Sequence, residues 1–362
     1  MKNFRIIRNA FVAVALTATV SSCSDDNTPT PEPEANYSEN LINIGNNVIT
    51  ATYSDLANKA ADLYTVAGNF KTTADASNLD ATKQAWRSTR SPWEQSEGFL
   101  FGPVDTQGID PAIDSWPVNT VDMDNLLADV SGHPNITEAV INQQVDEAKG
   151  FHLIEYLLWG IDENKQVGDF TTRELDYLVA ACENLKNKTA VLESAWLPTG
   201  ENFVANFLNA GTSGIYVSQK AALQDLVAGM IAIADEVGNG KIETPLNGDG
   251  GTGVDPTQEE SRFSSNSKLD FANNIRSISN SYNGKYLIDG KGVADVVATE
   301  NSTLNAQFQA EIVAAIQAIE AIPGTFSDAI VSNRPAVETA QEKVRIVQET
   351  LESQIKPLIS NL

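Results

Sequence analysis

Residues 36–71 read NYSENLINIGNNVITATYSDLANKAADLYTVAGNFK. Leu41, Ile44, Val48 and Ile49, then Leu56, Ala60, Leu63 and Val66, recur at three- and four-residue steps, the period of a helix with one apolar face. The same period dominates the rest of the chain. A second helical run starts behind Asn78 and carries Trp86, Trp93 and Phe99 to Phe101. A third is expected from Asn135, as N-cap, to Trp159, where Gly160 stops it. Thr171-Thr172-Arg173-Glu174 has capping-box spacing and opens a helix to about Ala195. Further helices are expected at Tyr216–Val237, Ser264–Tyr282, Thr303–Ala321 and Pro335–Ile355. Strand signals are sparse, so the pattern predicts an all-α protein of two up-and-down bundles packed together, with a diverged duplication possible. Turn-rich Leu197-Pro198-Thr199-Gly200 and Gly211-Thr212-Ser213-Gly214 put the boundary between them, giving bundles at 37–200 and 201–362. The Gly- and Asp-rich stretch from Thr244 to Glu260 matches no EF-hand spacing and reads as a flexible surface loop.

Ahead of the helices, residues 1–22 have the layout of an export signal. Lys2, Arg5 and Arg8 precede an apolar run, Ala10 to Val20, too short to span a bilayer. Val20-Ser21-Ser22-Cys23 resembles a relaxed lipobox, with Cys23 as the acylated mature N-terminus and residues 23–36 as a polar, Pro-rich tether. Cys23-Ser24-Asp25-Asp26 resembles an acidic tag for the outer face of the outer membrane, so an outer-membrane lipoprotein is expected, on the cell surface or the periplasmic face. Loss of three cations and no anion with the signal takes the net charge from −24 to −27. Such a surface repels nucleic acid and anionic headgroups and suits cations. With Cys23 acylated, Cys182 has no disulfide partner and reads as a small core residue.

Histidine occurs only at 133 and 152. His133 lies in a Gly-His-Pro-Asn turn and reads as a solvated loop residue. His152 lies inside a helical run with Glu155 three residues on, their side chains about 60° apart on one face. An imidazole and a carboxylate so placed can hold a metal ion together, or form a buried hydrogen bond in the core. Leu153, Ile154, Leu157 and Leu158 surround them with apolar packing, where a carboxylate without a cation or donor is costly. Gly150, one turn earlier, admits the close approach of another helix.

Three ordered motifs carry a family resemblance. Gly150-Phe151-His152-Leu153-Ile154-Glu155 is similar to the Gly-x-His-x-x-Glu signature of imelysin-like proteins. Upstream stand Trp86-Arg87-x-x-Arg90-x-x-Trp93-Glu94-x-x-Glu97-Gly98-Phe99 and Asp114-Ser115-Trp116-Pro117. Downstream stand Glu260-Ser261-Arg262-Phe263-Ser264 and Asp270-Phe271-x-x-Asn274-Ile275. The resemblance implies an all-α, two-bundle fold, a surface or periplasmic lipoprotein and a link to iron; the family has also been classed as a metallopeptidase. It implies Glu97 as a third ligand beside His152 and Glu155, and a fourth acidic ligand near Asp176.

One imidazole with two or three carboxylates is a hard donor set that suits iron, manganese or calcium better than structural zinc. Arg87, Arg90 and Arg262 could neutralise spare carboxylates or form ordinary interhelical ion pairs. Trp86, Trp93, Trp116 and Trp159 read as packing residues. The expected function is metal binding in iron acquisition, with a divalent or ferric ion or an iron chelate as ligand. Haem on His152 is a variant, crowded by Glu155. The alternatives are a metallopeptidase using the same site, for which the chain lacks His-Glu-x-x-His, and a surface interaction protein whose polar centre is structural. No protein partner is indicated.

Overall fold

The computed structural model describes residues 36–362, and Asn36–Leu362 forms one compact unit. The export signal, Cys23 and the tether up to residue 35 lie outside the described residues. Among the described residues the regular structure is helical throughout and contains no strand.

The opening rod comprises α1 (Ser38–Asn43), a π-helical segment (Ile44–Thr50) and α2 (Ala51–Thr72). The Thr50 hydroxyl donates to the Gly45 carbonyl within the wide turn, and the backbone stays helical on both sides of it. Next comes α3 (Ala76–Glu94), capped by Asp75, whose side chain accepts from the Asn78 amide. The cap thus lies three residues ahead of the expected start.

A short helix α4 (Ile109–Asp114) precedes α5 (Gly150–Trp159). The long helix expected from Asn135 to Trp159 is broken. Glu138–Ile141 and Asp146–Ala148 are isolated turns, Lys149 is extended, and Gly150 restarts the helix at φ +75°. Close packing causes the break: a Cβ at Gly150 would stand 2.4 Å from the Ile113 carbonyl oxygen. That approach sets Asp114, the last residue of α4, beside the first turn of α5.

The remaining long helices follow the periodicity. They are α6 (Thr172–Trp196), with the expected Thr171–Glu174 capping box, α7 (Gln219–Glu236), α8 (Ser267–Asn283), α9 (Ser302–Glu320) and α10 (Arg334–Thr350). α2 packs on α3 and α6, and α5 packs on α3 and α6. α9 packs on α8 and α10, and α7 does likewise. Contact of α3 with α8 joins these sets, and one apolar core runs from Leu41 to Ile359. Cys182 is buried in it, as expected, with its thiol pushed up by burial. The Thr244–Glu260 stretch folds into short helical turns, Glu243–Asn247 and Pro256–Gln258, and delivers Glu260 to the interior.

Gly150→Ala would combine a disfavoured positive φ with a backbone clash and should cost roughly 3 kcal/mol. Gly68→Ala, mid-helix with open space around it, should stabilise by up to about 1 kcal/mol. Urea unfolding of the two variants checks both, and an unshifted midpoint for Gly150→Ala would refute the close-approach account.

Candidate functional site

The motif segments meet where α3, α4, α5 and α8 converge. α3 supplies Arg90 and Glu94, one turn apart on its inner face, and the turn after it supplies Glu97. α4 ends in Asp114, α5 carries His152 and Glu155, and α8 carries Asp270 and Asn274. Lys241, after α7, and Glu260, before α8, complete the group. All of these residues are buried.

Two fixed cations organise the carboxylates. The Arg90 guanidinium contacts Glu94 and Asp114, lies 3.0 Å from Glu260 and reaches within 3.6 Å of Asp270. Lys241 donates to Glu97 at 2.9 Å and to Glu260 at 3.2 Å, with Glu94 at 3.7 Å. Burial opposes both charges, and the surrounding carboxylates outweigh it, so both side chains are held protonated. Asn274 bridges Glu94 and Glu97 from the other side, donating to them at 2.6 and 2.9 Å.

The carboxylates divide by environment. Burial alone would raise Asp114, but Arg90 and His152 outweigh it and hold the group well below the usual carboxylate range. The Trp93 indole N–H also donates to Asp114, at 2.6 Å. Burial pushes Glu94, Glu97 and Asp270 upward despite their cationic neighbours. Glu94, Glu97, Asp114, Glu260 and Asp270 therefore share the Arg90 guanidinium, the Lys241 ammonium and the His152 imidazole. The surplus negative charge must be met by protons or by a cation from outside.

His152 sits at the edge of this group. Its Nδ1 lies 3.3 Å from Glu155 Oε2. Glu155 is held in turn by the Ser264 amide and hydroxyl, which both donate to Oε1 at 2.7 Å. Nε2 points the other way, 3.1 Å from Asp114 Oδ1 but off the line of a hydrogen bond, and 3.9 Å from Glu260. Burial lowers the imidazole pKa, and contacts with Asp114 and Glu155 more than reverse this, lifting it to about 9. Ligand atoms of Asp114, His152 and Glu260 lie within 4.8 Å of one another, as do those of Glu94, Glu97 and Asp114. Glu260 Oε2 is buried without a hydrogen-bond partner.

Relative to the expected set, His152 and Glu97 belong to the cluster. Glu155 is its neighbour on the Nδ1 side, placed to orient the ring and turned away from the other carboxylates. Asp176 is not brought to the site: it pairs with Lys71 at 2.7 Å on the α2–α6 surface. Arg87 instead donates to Asn266 and the Ser264 carbonyl. Asp114, Glu260 and Asp270 stood inside the quoted motifs without a role, and Lys241 carried no local signal at all. Two recesses reach the cluster. One, of about 290 Å³, is lined by His152, Glu260 and Trp116, and the other, of about 240 Å³, by Glu97, Asp114, Asp110 and Trp116. Trp116 is thus a cleft wall as well as a packing residue.

Fold and site define an all-helical protein built around a buried, histidine-edged carboxylate cluster. The chain belongs to the imelysin family, whose profile matches residues 49–358. Iron-regulated protein A of Synechococcus elongatus is 31% identical over 324 residues, covering 86% of this chain and 84% of that one. A crystal structure from Parabacteroides distasonis, described as an iron-regulated protein A precursor, superposes with a TM-score of 0.80 at 26% identity, covering 89% and 94% of the two chains. An imelysin-like protein from Psychrobacter arcticum shares the fold, with a TM-score of 0.70 at 14% identity over 88% and 94%.

Two expectations test the electrostatics. Lys241→Met should destabilise by roughly 3–5 kcal/mol because it strands buried carboxylates. Adding Glu97→Gln should recover part of that loss in a double-mutant cycle, and additive losses would refute the pairing. The second concerns Glu259, buried beside Glu260 and raised from 4.5 to about 7, chiefly by burial, although Ser267 and Ser327 donate to it. A raised carboxyl favours the folded state fully below its unfolded pKa and loses that contribution as pH rises through about 7. Glu259→Gln should therefore gain on the wild type by roughly 3 kcal/mol between pH 4 and 8. Parallel urea midpoints across that range would contradict it.

Proposed function

We propose that the protein is an envelope-facing lipoprotein, anchored through Cys23, that captures a transition-metal cation, iron first among candidates, at the His152 cluster. The observation that carries this reading is the surplus of buried carboxylates around an imidazole nitrogen that has no hydrogen-bond partner, at the edge of a cleft. Asp114, Glu260 and His152 Nε2 offer two oxygens and one nitrogen, a set suited to iron or manganese. Glu155 on Nδ1 fixes the ring so that Nε2 faces the cluster, the role a carboxylate plays behind metal-bound histidines. Arg90 already shares Asp114 and Glu260, so an incoming cation would rely on the unpartnered Glu260 Oε2 and on His152. The proton that His152 otherwise holds would leave as the cation enters.

The relatives from Synechococcus and Parabacteroides are named for regulation by iron, and this supports the choice of metal. The anchor rests on the Val20-Ser21-Ser22-Cys23 segment, and an outer-membrane position on the acidic residues behind it. For peptide hydrolysis the site would need a free general base. Glu155 is already engaged by Ser264 and His152, which favours capture over cleavage.

Elemental analysis of the purified protein, after equilibration with ferrous iron, manganese, zinc and calcium in turn, tests the site. About one equivalent of metal is expected in the wild type and in Asp176→Ala. His152→Ala and Asp114→Asn, shown folded by circular dichroism, should hold none. A wild type that retains no metal under any of these conditions would sink the proposal.

A further inference from the structure

The 290 Å³ cleft above His152 has a chemistry that a bare cation does not require. Its floor is His152 with Glu260, and its walls include Trp116, Tyr156 and Phe263. Trp116 lies beside the imidazole with ring centroids 5.8 Å apart, and Tyr156 meets Phe263 edge-on at 5.1 Å. An ion alone needs oxygen and nitrogen donors, and aromatic walls add nothing to its binding. A cleft with apolar walls and a few polar groups is the usual form of a site for a small organic molecule.

Arg262 supplies the second observation. It lines the same cleft and lies 4.7 Å from the Phe263 ring. Among the described residues, the other arginines donate a side-chain hydrogen bond or form an ion pair, and Arg262 does neither. The chain carries 48 acidic residues against 24 lysines and arginines. Asp255 feels its charge only at longer range, so an arginine with no close ion pair is available to an anion from outside, and its planar fork suits a carboxylate.

We infer that the cleft binds a small aromatic carboxylate, of the hydroxy-acid class that also chelates metals, so that cation and organic anion are captured together. The ring would pack among Trp116, Tyr156 and Phe263, and the carboxylate would face Arg262. The chelating oxygens would turn toward the cation held by His152 and Glu260. The inference rests on the cation-site reading and adds to it a ligand class and a residue, Arg262, that metal binding alone does not need.

Salicylate is the probe, with cyclohexanecarboxylate as a non-chelating, non-aromatic comparison. Metal affinity of the purified protein is measured by calorimetry with ferrous iron and manganese, with and without each acid. Linkage requires each ligand to strengthen the other by the same factor. A gain of about tenfold or more is expected with salicylate and little with cyclohexanecarboxylate. Arg262→Gln should abolish the gain while leaving affinity for the metal alone within about twofold. Quenching of Trp116 fluorescence by salicylate, lost in Trp116→Leu, should follow the same titration. Metal binding that is indifferent to salicylate overturns the inference and leaves the cation site standing. Equal gains with both acids, or a gain retained in Arg262→Gln, also overturn it. No metal binding with or without salicylate overturns both readings.

Discussion

The structure turns on one fully buried guanidinium. Arg90 touches Glu94 on its own helix, Asp114 at the end of α4, Glu260 in the loop before α8, and Asp270 on α8. Taking a charge out of water costs several kcal/mol unless partners arrive with it. Packing α3 against α4 and α8 is therefore conditional on delivering those carboxylates, which fixes the register of elements that apolar contact alone would leave free to slide. Lys241 imposes the same condition on the segment after α7, tying it to Glu97 and Glu260. The apolar core supplies most of the driving force for collapse, and the ion network selects which collapsed arrangement is native.

The network is unbalanced toward negative charge. The cluster carboxylates outnumber Arg90, Lys241 and His152 in a dry interior, and burial pushes Glu94, Glu97 and Asp270 upward. A site built only for stability would be better served by matched charges or by apolar residues of the same size. The excess is concentrated where two recesses approach the cluster from either side of Trp116, the arrangement from which cation capture is proposed.

Around His152 the division of labour depends on close packing. Gly150 lets the α4 backbone come within contact of α5, and this seats Asp114 against Nε2. On the opposite side of the ring, the Ser264 amide and hydroxyl hold Glu155 against Nδ1. A neighbour in sequence, Glu155, thus orients the ring, while residues distant in sequence face its unpartnered nitrogen. The same fold at 14% identity to the Psychrobacter protein indicates that the helical framework tolerates wide substitution.

Local order in the sequence determined the helical elements, because a 3.6-residue period and capping residues such as Thr171 and Glu174 act within a turn or two of the chain. It also determined that His152 and Glu155 share a face, and its motifs marked the family. It could not show that Lys149 and Gly150 interrupt the helix expected from Asn135, since the cause is the Ile113 backbone more than 30 residues away. Nor could it assign Asp176, whose helical spacing is equally compatible with the interior and with the surface where Lys71 meets it. Arg90 meets Asp270, and Lys241 meets Glu94, across well over a hundred residues of chain. Electrostatic pairing depends on distance in space, and no periodicity along a chain records which charges will be buried together. Only the tertiary structure decided that.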